Sequence, residues 1–146
     1  MKRVHKRILV SHSATQMRDL VERVECYPQF LPWCCDAKVL TRGGIVTRAT
    51  IQIRYHGLNA AFTTENLRRD AHTIEMKLVE GPFRVLHGLW RFDVLNDAAC
   101  RIEFDLQYEF SSKMLTLIAG SAFHKISDSL VDAFVRRADS VYGAAP

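Results

Sequence analysis

The stretch from Lys113 to Tyr142 constrains this chain more than any other. Apolar residues recur there at Leu115, Ile118, Ala119, Ala122, Phe123, Ile126, Leu130, Ala133, Phe134, Ala138 and Val141. The dominant steps of three and four are the period of one helical face. At about 1.5 Å per residue the helix makes a rod of roughly 45 Å. No proline or charge run interrupts it, and Gly143 stands just past its end, where helices stop. So long an apolar stripe needs a surface to cover.

The preceding chain reads as that surface. Residues 4–10 alternate loosely and predict a first strand, flanked by Lys2, Arg3, Lys6 and Arg7, charges that discourage pairing at a sheet edge. Ser13 can cap a helix from Ala14, with Met17, Leu20, Val21 and Val24 on one face. Tyr27-Pro28 should end it, since the residue before proline avoids the α region. The stiff, apolar segment 29–35 is expected to form a second short helical turn. From Ala37 the period changes to two, with predicted strands over 37–40, 45–55, 58–67, 74–78, 86–94 and 100–110. Their separators are Gly43-Gly44, His56-Gly57, Arg68-Arg69-Asp70, Gly81-Pro82 and Asn96-Asp97. One-sided alternation implies an antiparallel sheet with one wet and one buried face. The expected architecture is α+β: a curved antiparallel sheet of about seven strands around a long C-terminal helix, with two small helices after strand 1.

Composition sets the boundaries of function. With 146 residues, 48% hydrophobic and 25% charged, the chain reads as one ordinary globular domain over 1–146. The net charge of +4 permits contact with nucleic acid or anionic headgroups and demands neither. Cysteines at 26, 34, 35 and 100 form no C-x-x-C pair, the pattern of reduced thiols. No apolar run approaches the length of a membrane span and the basic N-terminus has no apolar h-region. A cytoplasmic protein is expected, with peripheral contact to the inner face of a membrane as an option.

No catalytic or metal-binding residues are assigned. The six histidines are scattered over different elements and no H-E-x-x-H occurs. His124 and Asp128, at i and i+4, read as a surface pair. Gly120-Ser121 lies inside a helix, where a nucleophile elbow cannot form. Cys34 and Cys35 have no basic neighbour to activate them. Glu103, Asp105 and Glu109 share a face opposite the apolar one, so cross-strand ion pairing accounts for them. No aromatics interleave with the basic residues as a stacking platform needs, and DNA is not an expected partner.

What remains is the apolar interior, rich in large groups. A curved sheet closed by one helix often leaves a cavity, and apolar cavities hold hydrophobic small molecules. Gly120, costly inside a helix by about 1 kcal/mol relative to alanine, marks an expected close approach. Residues 114–118 are apolar on nearly all sides, so Met114 and Leu117 must face something besides the sheet. Packing against the 27–33 segment is the expectation, ahead of a ligand mouth or a membrane surface.

Three motifs then carry a resemblance. Val24-x-x-Tyr27-Pro28-x-Phe30-Leu31-Pro32-Trp33-Cys34, Glu80-Gly81-Pro82-Phe83-Arg84-x-Leu86-x-Gly88-x-Trp90-x-Phe92 and Ala133-Phe134-x-x-Arg137-Ala138 together resemble the coenzyme Q-binding/RatA family of START-like (SRPBCC) proteins, often labelled oligoketide cyclase/dehydrase. The resemblance spans essentially the whole chain. It implies a helix-grip fold with a hydrophobic cavity between sheet and helix. One branch implies ubiquinone binding in support of respiratory electron transfer. The other implies binding the large ribosomal subunit and blocking subunit association.

The first functional expectation is non-enzymatic binding of a hydrophobic ligand, ubiquinone or a related lipid, with no other cofactor. Tyr55, Phe62, Met76, Trp90, Phe104, Tyr108, Phe123 and Ile126 are expected to line the cavity, and the hydroxyls of Tyr55 and Tyr108 to meet a quinone carbonyl. Tyr27, Phe30, Leu31, Trp33, Met114 and Leu117 are expected to form its mouth or a membrane contact. The second expectation is a ribosome-binding toxin, with Lys2, Arg3, Lys6, Arg7, Arg68 and Arg69 meeting rRNA or headgroup phosphates. A cyclase, with Tyr108 or His87 as proton donor, is the third.

Overall fold

The computed structural model describes residues 1–143. The order is β1 (Lys2–Val10), α1 (Ala14–Glu22), a 3-10 helix (Val24–Gln29), β2 (Cys34–Arg42), β3 (Val46–Tyr55), β4 (Leu58–Asp70), β5 (Thr73–Glu80), β6 (Phe83–Asn96), β7 (Ala99–Phe110) and α2 (Lys113–Tyr142). The strands form one antiparallel sheet in the order β1-β7-β6-β5-β4-β3-β2. Only β1 is displaced from sequence order: it closes onto β7, with Val4 opposite Leu106 and Val10 opposite Cys100. Register shifts in β2–β3, β4–β5 and β6–β7 let the sheet bend around α2.

The inner face follows the alternation read from the sequence. Cys100, Ile102, Phe104, Leu106, Tyr108 and Phe110 are all buried, as are Leu86, Trp90 and Phe92 and Ala49, Ile51 and Ile53. The outer face is a carpet of ion pairs: Arg3–Asp105, Arg7–Glu103, Arg101–Asp93, Arg69–Glu75 and Arg48–Glu65. Each of these pairs bridges neighbouring strands, with the guanidinium exposed and the carboxylate partly buried.

Both helices start at serine caps. Ser13 Oγ accepts from the Gln16 amide at 3.1 Å while Gln16 Oε1 accepts from the Ser13 amide at 3.0 Å, a reciprocal capping box. Ser112 Oγ accepts from the Leu115 amide at 3.1 Å. Polar contacts then tie down the C-terminal half of α2. Lys6 Nζ lies 2.9 Å from Asp128, His12 Nε2 lies 2.7 Å from Asp139, and the Tyr142 hydroxyl donates to the Gln16 carbonyl at 3.3 Å.

Several boundaries differ from the sequence reading. α1 ends at Glu22, before Tyr27-Pro28, because Arg23 leaves the helical region with φ −82° and ψ 67°. The helical turn that follows is Val24–Gln29 and contains Pro28, and β2 begins at Cys34. Arg68, Arg69 and Asp70 belong to β4: Arg68 pairs with Ile74 and Asp70 with Thr73, leaving a two-residue turn at Ala71-His72. Ile45, Val94, Ile118 and Val141 sit in the apolar pattern yet are exposed. They fall at the ends of their elements, where the opposing layer no longer covers them.

Candidate functional site

Between the inner face and α2 lies an apolar cavity of about 70 Å³. Phe62, Met76, Trp90, Phe104, Phe123 and Ile126 line it, as the alternation and the helical stripe predict, together with Tyr27 and Trp33. Ile51, Ile53, Leu86, Leu106, Ser127, Leu130 and Phe134 complete the wall. These were not named as lining residues, although their inward alternation or helical spacing was the available signal. Its volume is far below the roughly 300–1,000 Å³ of sites that enclose drug-sized ligands.

Aromatic packing fills the rest. Trp90 lies 4.4 Å from Phe104 and 5.4 Å from Phe134, ring centre to ring centre. Phe83, Phe110, Tyr108 and Phe123 form a second cluster, with Phe83 and Phe110 stacked at 4.9 Å. Tyr27 and Phe30 meet Phe134 edge-on at 5.4 and 5.2 Å, and Arg137 covers the outer face of Phe30 at 5.1 Å. Leu31 is fully buried beside them. The partly buried Met76 and Leu130 are the lining residues nearest solvent.

Two placements correct the expected site. Tyr55 sits at the end of β3 against His56, at 4.2 Å between ring centres, and does not line the cavity. Tyr108 is buried on the inner face, but it lines a separate groove and not the cavity. Neither tyrosine therefore presents a hydroxyl to a ligand in the apolar cavity. The expected packing of Met114 and Leu117 against the 27–33 segment is not met either. That segment packs on Phe134, about five helical turns further along α2, so Met114 and Leu117 are left exposed.

The separate groove has a volume of about 550 Å³ and runs between the N-terminal half of α2 and the paired starts of β1 and ends of β7. Met1, Lys2, Tyr108, Glu109 and Phe110 form one wall; Thr116, Gly120, Ser121, His124 and Lys125 form the other. Gly120 is not closely approached by any group of the protein. A Cβ there would meet only Thr116 Cγ2, at 3.7 Å. The Tyr108 hydroxyl and His124 Nδ1 are 3.4 Å apart, a long and weak contact.

The chemistry available in the cavity is narrow. It is lined by no carboxylate, histidine, cysteine, lysine or arginine. Its two hydroxyls are already engaged by backbone: Ser127 Oγ donates to the Phe123 carbonyl at 2.9 Å, and Tyr27 donates its hydroxyl to the Val21 carbonyl. Burial pushes the Tyr27 phenol well above its ordinary value, so it stays protonated. Burial likewise raises the Cys34 and Cys100 thiols to about 11. His87 points to the outer face, 2.7 Å from Glu75, and is remote from the cavity as a proton donor. Among the described residues no group of three or more His, Cys, Asp or Glu is placed to hold a metal ion.

The residues expected to meet phosphates are mostly occupied. Arg3 pairs with Asp105, Arg7 with Glu103, Lys6 with Asp128, Arg68 with Glu22 and Arg69 with Glu75. Lys2 lines the groove. Among the described residues no helix is long and apolar enough to cross a membrane.

A seven-stranded curved sheet gripping one long helix over an apolar cavity defines a START-like protein. Residues 10–135 match the sequence model described as "Polyketide cyclase / dehydrase and lipid transport", and the chain belongs to that family. It is 43% identical over 143 residues to the "Ribosome association toxin RatA" of Vibrio cholerae, covering 98% of this chain and 99% of that one. It is 28% identical over 139 residues to the "Coenzyme Q-binding protein COQ10 homolog B, mitochondrial" of Xenopus laevis, covering 92% of this chain and 57% of that one. The Zhui aromatase/cyclase structure from Streptomyces shares the fold at a TM-score of 0.82 and 15% identity, covering 99% of both chains.

Proposed function

We propose that this chain is a non-enzymatic protein that associates with the ribosome, binding the large subunit and hindering its joining to the small one. The observation that carries this reading is the likeness of 43% over 98% of the chain to a protein named for ribosome association. The cavity supports the non-enzymatic part: it holds no acid–base pair, and its phenol and serine are engaged by carbonyls. The guanidinium groups of Arg3, Arg7 and Arg69 are exposed, while their carboxylate partners are partly buried. An rRNA phosphate can reach these guanidinium groups from solvent and compete with the carboxylates for them. Co-sedimentation with large subunits across a salt series tests the reading. Binding should fall with salt at a log–log slope of roughly 0.7–0.9 per phosphate contact, and subunit joining should be inhibited. No effect on joining at any salt overturns it.

A second reading, a carrier of ubiquinone or a related apolar molecule, is favoured by the predominantly apolar wall and by the partly buried Met76 and Leu130 at its edge. With a resting volume of about 70 Å³, ligand entry requires these side chains to move. Organic extraction of the pure protein followed by mass spectrometry and add-back should yield a bound quinone or lipid. Neither a bound nor a rebound molecule removes the reading.

A further inference from the structure

The N-terminal half of α2 buries Ala119, Ala122 and Phe123 against the sheet, but its outer side has no partner among the described residues. Leu117 is 86% exposed, Met114 70% and Ile118 63%. They occupy consecutive turns on the exposed side of the helix, with Lys113 beside them and Ser121 and Lys125 following at the wall of the groove. Hydrophobic residues scattered singly on a surface need no explanation, whereas a cluster of large ones marks a binding face.

The charge around this cluster has one sign. No aspartate or glutamate occurs between Glu109 and Asp128. Asp128 is already paired with Lys6 and Glu109 lies 3.8 Å from Arg84. Lys113, Lys125 and Lys2 carry no ion pair among the described residues, and Lys2 and Lys125 stand on opposite walls of the adjoining groove. This differs from the outer face of the sheet, where basic residues are matched to carboxylates. Three large aliphatic side chains ringed by unpaired lysines, with no acid in the first turn of the helix, complement a surface that is apolar within and negative at its rim. An anionic lipid bilayer has that layering. Structured RNA does not, since it offers phosphates and base faces, and this patch presents no arginine and, beyond the His124 imidazole, no exposed aromatic ring to meet them.

We propose that the N-terminal half of α2 is a docking face for anionic membrane surfaces. Met114, Leu117 and Ile118 enter the headgroup–acyl boundary, and Lys2, Lys113 and Lys125 meet lipid phosphates. The helix lies on the bilayer; it is not apolar enough to cross it. The inference does not rest on the ribosome reading, and Lys2 alone is common to the basic residues that the two invoke.

The test is co-sedimentation of the full chain with vesicles of phosphatidylcholine alone and of equal parts phosphatidylcholine and phosphatidylglycerol, at low and raised salt. The expected result is pelleting with the anionic vesicles only, weakened by salt. Leu117→Asp should abolish it, and Lys113→Gln and Lys125→Gln should each weaken it roughly fivefold. All three positions are exposed, and an unchanged unfolding midpoint verifies that the variants fold. Failure to pellet with anionic vesicles at low salt overturns the proposal, as does a Leu117→Asp variant that pellets like the parent. Loss of large-subunit binding in Leu117→Asp with no vesicle binding by the parent also overturns it, and assigns the face to the ribosome.

Discussion

Gly81 and Phe62 approach so closely that a Cβ on the glycine would lie 2.6 Å from the Cβ of the phenylalanine. The glycine also has φ +155°, which side chains rarely adopt. The β5–β6 turn is thereby pressed against β4, setting Phe62 edge-on to Phe83 at 5.6 Å between centres at one wall of the cavity. Because the obstructing atom is a Cβ and not the end of a flexible chain, neither partner can yield. Gly81→Ala is expected to cost about 2 kcal/mol or more, from overpacking and backbone strain together. Urea unfolding monitored by circular dichroism checks it.

Gly120 predicts the opposite. It sits in the interior of α2 with only Thr116 Cγ2 near, at 3.7 Å. Alanine there removes the helical penalty of glycine without a clash, so Gly120→Ala should stabilise the protein by up to about 1 kcal/mol. The same unfolding experiment distinguishes the two glycines by the sign of the shift.

The contrast shows what the sequence carries. Period is legible: the Lys113–Tyr142 helix and the inward face of β7 follow directly from spacing, because a long stripe and a strict alternation each admit one solution. Several of the cavity's lining residues are legible in the same way, since Phe123 and Ile126 lie on the helical stripe and Phe62, Met76, Trp90 and Phe104 on the inward alternation of β4 to β7. Coverage is not legible. Tyr108 lies on the inward face yet opens onto the groove, and Ile118 lies on the stripe yet is exposed. Alternation says which way a side chain points, not where the opposing layer ends. The pairing of Arg3, Lys6, Arg7, Arg68 and Arg69 was hidden for a related reason: it depends on strand register and helix placement, which no local pattern records.

Phe134 is the seam between α2 and the rest. Its ring meets Tyr27, Phe30 and Trp90 at 5.4, 5.2 and 5.4 Å, so one side chain joins the 3-10 helix, β6 and the long helix. Phe134→Ala leaves a void bounded by rigid rings that cannot collapse into it, and should cost about 3–5 kcal/mol. A thermal scan should show the largest fall in midpoint of any single truncation on α2. A loss of under about 1 kcal/mol would contradict this role.

The cysteines should separate by reactivity. Burial holds the Cys34 and Cys100 thiols at about 11, so at pH 8 only about one in a thousand of each is thiolate, the reactive form. Cys35 is exposed and Cys26 half-buried. Brief iodoacetamide treatment of the native protein, read by peptide mass spectrometry, should label Cys35 first and leave Cys34 and Cys100 intact. All four should react in denaturant.

Acid should destabilise the protein through its paired carboxylates. Hydrogen bonds from Arg42, His87, Arg3 and Lys6 hold Glu25, Glu75, Asp105 and Asp128, respectively, below their ordinary values of 4.5 for glutamate and 3.8 for aspartate. The folded chain therefore binds these protons less tightly than the unfolded chain does. The stability they confer is complete above the ordinary values and is lost as pH falls through the depressed ones. The urea midpoint should accordingly be insensitive to these four groups near neutrality and decline as the pH drops below about 4.5. Asp105→Asn removes a carboxylate held by both Arg3 and His5, so it should lower stability at pH 7 and flatten the acid decline. An acid decline as steep in this variant as in the parent would show that Asp105 plays no part in it.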